Sequence, residues 1–238
     1  MAGSRRARVL HTSDCHLGVR GSREERAFSA MVDLAVAEDV DVVLIAGDLF
    51  DHARVGDDVL DWAAGELDRA GRPVVLLVGN HDVLHEASVH RRFDAPARCR
   101  DVRFLDDPAG TTVEVTEADV VVWGRAMVEH EPGYRPFAGV PAAPAGRWCV
   151  AAGHGLVVRE GFGSGRSSPI VPADLDAVAG WDYVALGHVH EHEVVRDAPV
   201  PVCYPGATAA SRGNDAGVVL VDLVPGAGAR PTWVPLTV

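Results

Sequence analysis

The 238-residue chain is long enough to bury one sizeable core, and its length does not force a second domain, so one domain over 1–238 is expected. It is 47% hydrophobic and 24% charged, the profile of a globular domain, and no apolar run nears the roughly 18 residues of a membrane span, which excludes a helical membrane protein. A formal net charge of −12 repels nucleic-acid phosphates unless cations or a local basic patch reverse the field.

The start, Met1 to Arg8, is basic and runs straight into a short strand beginning near Ala7. It lacks the apolar core of a signal peptide, so a cytoplasmic location with no membrane partner is expected. After that strand, Asp14 and His16 alternate around Cys15, and an extended backbone would point both the same way. A carboxylate and an imidazole two residues apart can begin a metal site, although alone they more often describe a solvated turn.

A helix is expected from about Glu24 to Asp39, with Ala27, Ala30, Met31, Leu34 and Ala35 on its inner stripe. Val42 to Ala46 is five apolar residues in a row and reads as a strand buried on both faces, ending in Gly47-Asp48. A second helix follows from Asp57 to Ala70, with Val59, Leu60, Ala63, Ala64 and Leu67 inward and Gly71 as its stop. Pro73 to Val78 is another buried strand and closes on Gly79-Asn80-His81-Asp82. Strand, helix, strand, helix, strand implies right-handed crossovers and parallel pairing. Open α/β sheets place their ligand sites at the carboxyl ends of such strands.

The chain uses asparagine only twice, at Asn80 and Asn214, and one of the two sits at a strand end beside a histidine. An Asn oxygen can ligate a hard cation without adding charge. His81 could then donate a proton to an oxyanion, held in its tautomer by a carboxylate such as Asp82. The bland alternative is an Asx turn with a surface histidine.

Five arginines follow between positions 91 and 103 (Arg91, Arg92, Arg98, Arg100, Arg103). They could face a phosphate backbone, but the chain has no lysine and all 22 basic residues are arginine, so their abundance is a compositional bias and a solvated surface is favoured. Shorter alternating strands come next, at Thr111–Val115 and Val120–Trp123, then a Pro- and Gly-rich surface loop from Pro132 to Gly146. The strand Trp148–Ala152 leads into Gly153-His154-Gly155. The Gly-rich segment 161–168 reads as a loop, with a mobile lip over the site as the sharper alternative. Tyr183–Leu186 leads into Gly187-His188-Val189-His190, whose two histidines share one face, while His192 reads as a surface residue. Tail strands are expected near Val194, at Val202–Tyr204, Val218–Leu223 and Thr232–Leu236.

The cysteines (Cys15, Cys99, Cys149, Cys203) are scattered and suggest neither a disulfide framework nor a thiolate site. Cys149 and Cys203 lie in apolar stretches and read as core residues. His11 reads as a structural hydrogen-bonding residue.

Asp14 with His16, Asp48, Asn80 with His81, His154, and His188 with His190 therefore stand at five strand ends. In this order and spacing they resemble the calcineurin-like metallophosphoesterases, whose signature is D-x-H, G-D, G-N-H-[DE], a lone G-H and a final G-H-x-H. The blocks span Asp14 to His190. His11 to Gly18, Gly47 to Asp51 and Tyr204-Pro205-Gly206 are also similar to the SbcD-type DNA-repair exonucleases within that superfamily.

The resemblance implies a four-layer α/β/β/α sandwich and a hydrolase for phosphoric esters. It implies two divalent metals, manganese being the expected ion with iron or zinc as alternatives. They would share Asp48, with Asp14, His16 and His190 completing one site and Asn80, His154 and His188 the other. Two cations about 4 Å apart can ionise a water shared between them and clamp both the attacking and the leaving oxygen. His81 and Asp82 would be the catalytic pair, His81 protonating the leaving oxygen. The expected substrate is a phosphodiester, DNA in the SbcD-type reading and a small nucleotide or other small ester in the alternative. A scaffold without chemistry would lack ligands, and none is missing. SbcD-type proteins usually continue into a capping domain and a segment that binds a coiled-coil ATPase. With Val238 as the last residue, that segment is expected to be absent here. Asp51 and His52 could lie behind the ligands or shape substrate entry.

Overall fold

The computed structural model describes residues 5–131, 133–158, 168–210 and 213–237. Most of the Gly-rich segment read above as a loop or lip, 161–167, lies outside them.

β1 (Ala7–Thr12), α1 (Arg23–Ala37), β2 (Val42–Ala46), α2 (Asp57–Arg69), β3 (Val74–Leu77), α3 (Val89–Phe93), α4 (Ala95–Arg98) and β4 (Val102–Leu105) follow one another. The four strands pair in parallel, in the order β1-β2-β3-β4. α1 and α2 fall within two residues of their expected bounds, whereas the short α3 and α4 carry no sequence-derived bounds. Ser22 caps α1 by accepting from the Glu25 amide, and Glu25 accepts from the Gly21 amide in return.

The second sheet is built from β5 (Thr111–Val115), β6 (Val120–Gly124), β7 (Trp148–His154), β10 (Tyr183–Gly187), β11 (Glu193–Arg196) and β12 (Val202–Tyr204), in the order β11-β12-β10-β7-β6-β5. Between β7 and β10 lie the short pair β8 (Leu156–Val157) and β9 (Pro169–Ile170) and the helix α5 (Pro172–Ala177). The chain then returns to the first sheet. β13 (Gly217–Val224) pairs antiparallel with β1, and β14 (Gly228–Pro235) pairs antiparallel with β13.

Two-residue periodicity assigns each strand's side chains to faces. Val9, Val42, Leu44, Val75 and Leu77 of the first sheet share an apolar cluster with Val122, Trp148, Val150, Tyr183 and Ala185 of the second. Their neighbours Leu10, Val43, Ile45, Val74 and Leu76 pack instead with Phe28, Met31, Leu60 and Ala63 of α1 and α2. The other face of the second sheet, with Ala151, Val184 and Leu186, meets Leu175, Val178 and Trp181. Each large aliphatic buried this way contributes about 1.5–3 kcal/mol of transfer free energy, so β2, closed on both faces, is firmly held. The inner stripe of α1 is Ala27, Phe28, Met31, Val32 and Ala35. Ala30 and Leu34, expected inward, are only half-buried, because the sheet meets the helix slightly to one side of the sequence-derived stripe. The stretch 133–146 is less superficial than its composition suggests, for Tyr134 and Phe137 are buried in apolar clusters. All four cysteines are free and buried. Among the described residues no helix is long and apolar enough to cross a membrane.

Candidate metal centre

β1, β2, β3, β7 and β10 all deliver their carboxyl ends to one edge of the paired sheets. The turn after β1 is laced to the turn after β2 by backbone bonds: the Asp14 amide donates to the Gly47 carbonyl, Cys15 and His16 to Asp48, and Leu17 to Leu49. Four residues at these strand ends have unusual backbone angles. Asp14, His16, Asp48 and His188 have φ of 52°, 49°, 54° and 105°, the left-handed region that non-glycine residues rarely occupy. Such conformations cost of order 1–3 kcal/mol each and gather at functional sites. Two glycines permit the approach of the turns. A Cβ on Gly79 would lie 2.1 Å from Asp48 Oδ1, and one on Gly47 would lie 2.2 Å from His154 Nδ1.

The side chains converge in two groups. His16 Nε2 and His190 Nε2 are 3.3 Å apart, and Asp14 Oδ1 lies 3.9 Å from the first and 3.5 Å from the second. In the other group His188 Nδ1 is 2.7 Å from Asn80 Oδ1, and His154 Nε2 is 3.1 Å from that oxygen and 3.4 Å from Asp48 Oδ2. Asp48 lies close to donors of both groups: its ligand oxygens are within 4.8 Å of those of His16 and His81, and of those of Asp14 and His154. A cation about 2.1 Å from each donor would set the donors roughly 3–3.5 Å apart, and the separations here run from 2.7 to 3.9 Å around that spacing.

One atom argues independently for a cation. Asp14 Oδ1 is buried and accepts no hydrogen bond among the described residues. A bare carboxylate oxygen in the interior is rare without an ion or water to face. The second oxygen of Asp14 is satisfied by the Ser13 hydroxyl and the His188 amide, so the carboxylate is aimed. His154 is aimed too, since its Nδ1–H donates to the Ala46 carbonyl at 2.9 Å and leaves Nε2 toward Asn80 and Asp48. The seven donors are nitrogen and oxygen atoms, which suit divalent manganese, iron or zinc better than calcium.

In the metal-free protein, protons take part of the cations' place. Burial opposes a charged His154, but the Asp48 carboxylate outweighs it, and with Asp14 and the Ala46 carbonyl it raises His154 to about 9. The Asp14 carboxylate, 3.5 Å away, likewise raises His190 against the cost of its partial burial. Burial would raise Asp14, but His190, the His154 charge, Ser13 and the His188 amide together hold it well below the carboxylate range. His188 is lowered to about 4 by burial and by the His154 charge, and burial lowers His16.

His81 stands at the opening, with 43% of its side chain exposed. Its amide donates to Asp48 Oδ1 at 2.9 Å, its ring lies edge-on to His16, and its Nδ1 is 2.9 Å from the Asp51 carbonyl oxygen. Asp82 is not its partner. That carboxylate turns inward, fully buried, and accepts from the Gly79 amide, the Phe50 amide and His90 Nε2. A three-residue turn closed by the Gly79–Asp82 bond points consecutive side chains to opposite sides, which the sequence pattern did not disclose.

A different carboxylate, that of Asp51, lies beside the His81 ring. Its Oδ1 is 3.3 Å from His16 Nδ1 and 3.5 Å from His81 Nδ1. His130 was missed altogether. It feels the charges of Asp48, His154 and His81 across the opening, and desolvation lowers its pKa. It comes from a loop with no motif around it, so nothing in the sequence could have flagged it. His52 is exposed and accepts from the Arg54 amide. His11 is structural, as read: burial lowers it to about 3, so its Nε2–H donates to the Leu186 carbonyl and its Nδ1 accepts from the Tyr183 hydroxyl. Four of the five arginines are engaged by carboxylates, Arg92 by Asp57, Arg98 by Asp61, Arg100 by Asp68, and Arg103 by Asp101 and Glu117.

Residues 7–192 match the family model of the calcineurin-like phosphoesterases. The chain belongs to that family. As a calcineurin-like phosphoesterase it is a hydrolase acting on phosphoester bonds. Among curated relatives, the DNA double-strand break repair protein Mre11 of Aeropyrum pernix is 33% identical over 227 residues, covering 84% of this chain and 53% of that one. The SbcD component of the nuclease SbcCD of Bacillus subtilis is 26% identical over 275 residues, covering 95% and 68%. The chain thus spans about half to two thirds of the length of these relatives. A dimetal phosphatase from Danio rerio has the same fold, with a TM-score of 0.61 at 10% identity over 97% of this chain and 99% of that one.

Proposed function

We propose that the protein is a dinuclear, metal-dependent phosphodiesterase that acts on DNA. Asp14, His16 and His190 would hold one divalent ion, Asn80, His154 and His188 the other, and Asp48 both. The observation that carries this reading is the convergence of seven nitrogen and oxygen donors in two adjoining groups, one of which holds the buried Asp14 Oδ1 that accepts no hydrogen bond among the described residues. DNA is favoured by the names of the two curated relatives, one a DNA-break repair protein and the other a component of a nuclease. Manganese is the ion assigned. When bound, the two ions would supply an activated water and neutralise the phosphate charge.

The chain's own residues do the rest. Asp48, fixed through Oδ1 by the His81 amide, sets the spacing of the two donor groups. His81, exposed at the opening, would give a proton or a hydrogen bond to the leaving oxygen. Asp51 would hold the His81 ring through its carbonyl and carboxylate. In the SbcD-type reading a coiled-coil ATPase is the partner and the cytoplasm the location.

A second reading, a small nucleotide or other small ester as substrate, is supported by two features. The net charge is −12, and Arg92, Arg98, Arg100 and Arg103 are already engaged by carboxylates. A substrate panel with manganese separates the readings: single-stranded DNA, duplex DNA, bis-p-nitrophenyl phosphate and a phosphomonoester. Turnover of DNA carries the first reading; turnover of small esters alone carries the second. No turnover of any of them counts against the enzymatic role of these residues.

A further inference from the structure

Behind the metal centre, away from the opening, lies a buried pair that none of the roles above uses. His90, in α3, and Asp82 both have fully buried side chains, and His90 Nε2 is 3.0 Å from Asp82 Oδ2. The same carboxylate accepts from Gly79 at 2.7 Å through Oδ1 and from Phe50 at 3.2 Å through Oδ2. Gly79 immediately precedes Asn80, and Phe50 lies two residues after Asp48. One carboxylate therefore ties together the two turns that carry Asp48 and Asn80.

The imidazole has a single polar task. Its Nδ1 has no hydrogen-bond partner among the described residues, and its ring is boxed by Phe50, Phe93 and Phe104 at 5.6, 6.3 and 5.0 Å between centroids. A phenyl ring would fill that box without leaving an unpaired nitrogen. The one contact that distinguishes histidine here is the bond to Asp82. Without it, the carboxylate would keep only backbone donors, and those donors sit on the two turns whose spacing matters. Groups behind metal ligands commonly govern their affinity in this way.

We propose that His90 is a positioning residue for the metal centre, holding the Asp48 and Asn80 turns at their separation through Asp82; this rests on the metal-centre reading given above.

The test compares His90→Gln with His90→Asn in the whole chain. The Gln amide reaches the position of Nε2 and can donate to Asp82, whereas the Asn amide stops near the position of Nδ1. Three quantities are measured: Mn2+ affinity by calorimetry, kcat and KM toward bis-p-nitrophenyl phosphate at saturating Mn2+, and amide exchange of Gly79 and Phe50. His90→Gln is expected to stay near wild type. His90→Asn is expected to lose roughly 10- to 100-fold in Mn2+ affinity or kcat, with KM little changed. Faster exchange should appear at Gly79 and Phe50 but not in β2 or β3. Equal behaviour of the two variants in all three measurements would overturn the proposal, since His90 would then only fill its box. If His90→Asn does not fold, the wild-type protein decides: the His90 Nε2–H resonance should shift on adding Zn2+, and an unmoved signal overturns the proposal. A wild-type protein that binds no metal and hydrolyses nothing would sink the metal-centre reading instead. A difference between the variants in Gly79 and Phe50 exchange would then uphold the clamp alone.

Discussion

His81 and Asp51 face each other across the mouth of the metal centre, with His81 Nδ1 2.9 Å from the Asp51 carbonyl oxygen and 3.5 Å from its Oδ1. If Nδ1 carries the proton and donates to Asp51, Nε2 is the nitrogen left for a substrate oxygen. Asp82, adjacent in sequence, has no part in this contact.

The two aspartates should therefore fail differently. Asp82→Ala strips a buried carboxylate from two amides and an imidazole, and should cost about 3–5 kcal/mol of stability by denaturant unfolding, the usual loss when one member of a buried pair is removed. Asp51→Asn, at a half-exposed position, should leave unfolding nearly unchanged and lower kcat. A stable Asp82→Ala protein together with an unfolded Asp51→Asn would reverse the two roles.

His81→Asn should lower kcat by roughly 10²- to 10⁴-fold, the range for losing a general acid, while metal content stays near normal. The loss should be smaller for a p-nitrophenyl leaving group, which hardly needs a proton. Similar losses for good and poor leaving groups would indicate transition-state stabilisation without proton donation. The donor atoms of His16, Asp48 and His81 also lie within 4.8 Å of one another. Elemental analysis of His81→Asn is thus a necessary control: a lost metal would make His81 a ligand.

How much of this was legible in the chain follows from the range of the interactions. Gly47-Asp48, Gly79-Asn80-His81 and Gly187-His188-Val189-His190 each combine a buried apolar run with a ligand-type residue at its end, and both signals are local. The parallel sheet was legible for the same reason. The Asp51–His81 and Asp82–His90 contacts were not, because they depend on the direction in which a turn projects its side chains. His130, which feels the charges of Asp48, His154 and His81, lies on a loop with no periodicity to place it. Phe28 and Val32 are buried outside the sequence-derived α1 stripe because helical spacing alone admits neighbouring faces, and the sheet selects among them.

The pH dependence of the metal-free protein has two sides. His154 is raised to about 9, so the folded state holds a proton that the unfolded chain releases near 6.5; this contribution is complete below that value and is lost as pH rises toward 9. His188 and His11 are lowered to about 4 and 3, so the unfolded chain takes up protons that the folded one refuses, and stability falls as pH drops below 6.5. The Tm of chelator-treated protein should accordingly fall on either side of pH 6.5. Saturating Mn2+ should remove the alkaline fall, because the ion replaces the His154 proton. A chelated protein whose Tm rises steadily from pH 6.5 to 9 would contradict the His154 assignment.

Metal loading should raise Tm in the wild type, since an ion that binds only the folded state stabilises it by mass action. His190→Ala should weaken one ion, and Asp48→Ala both. Competition with a chelator of known affinity reads this directly. Equal loss of both ions in the two variants would remove Asp48 from its bridging place.

The sharing of Asp48 by two cations is the central claim, and anomalous diffraction from manganese-soaked crystals tests it most directly. The account predicts two manganese peaks, one on each side of the Asp48 carboxylate, the first beside Asp14, His16 and His190 and the second beside Asn80, His154 and His188. A single peak, or two peaks of which either lies out of reach of Asp48, would contradict it.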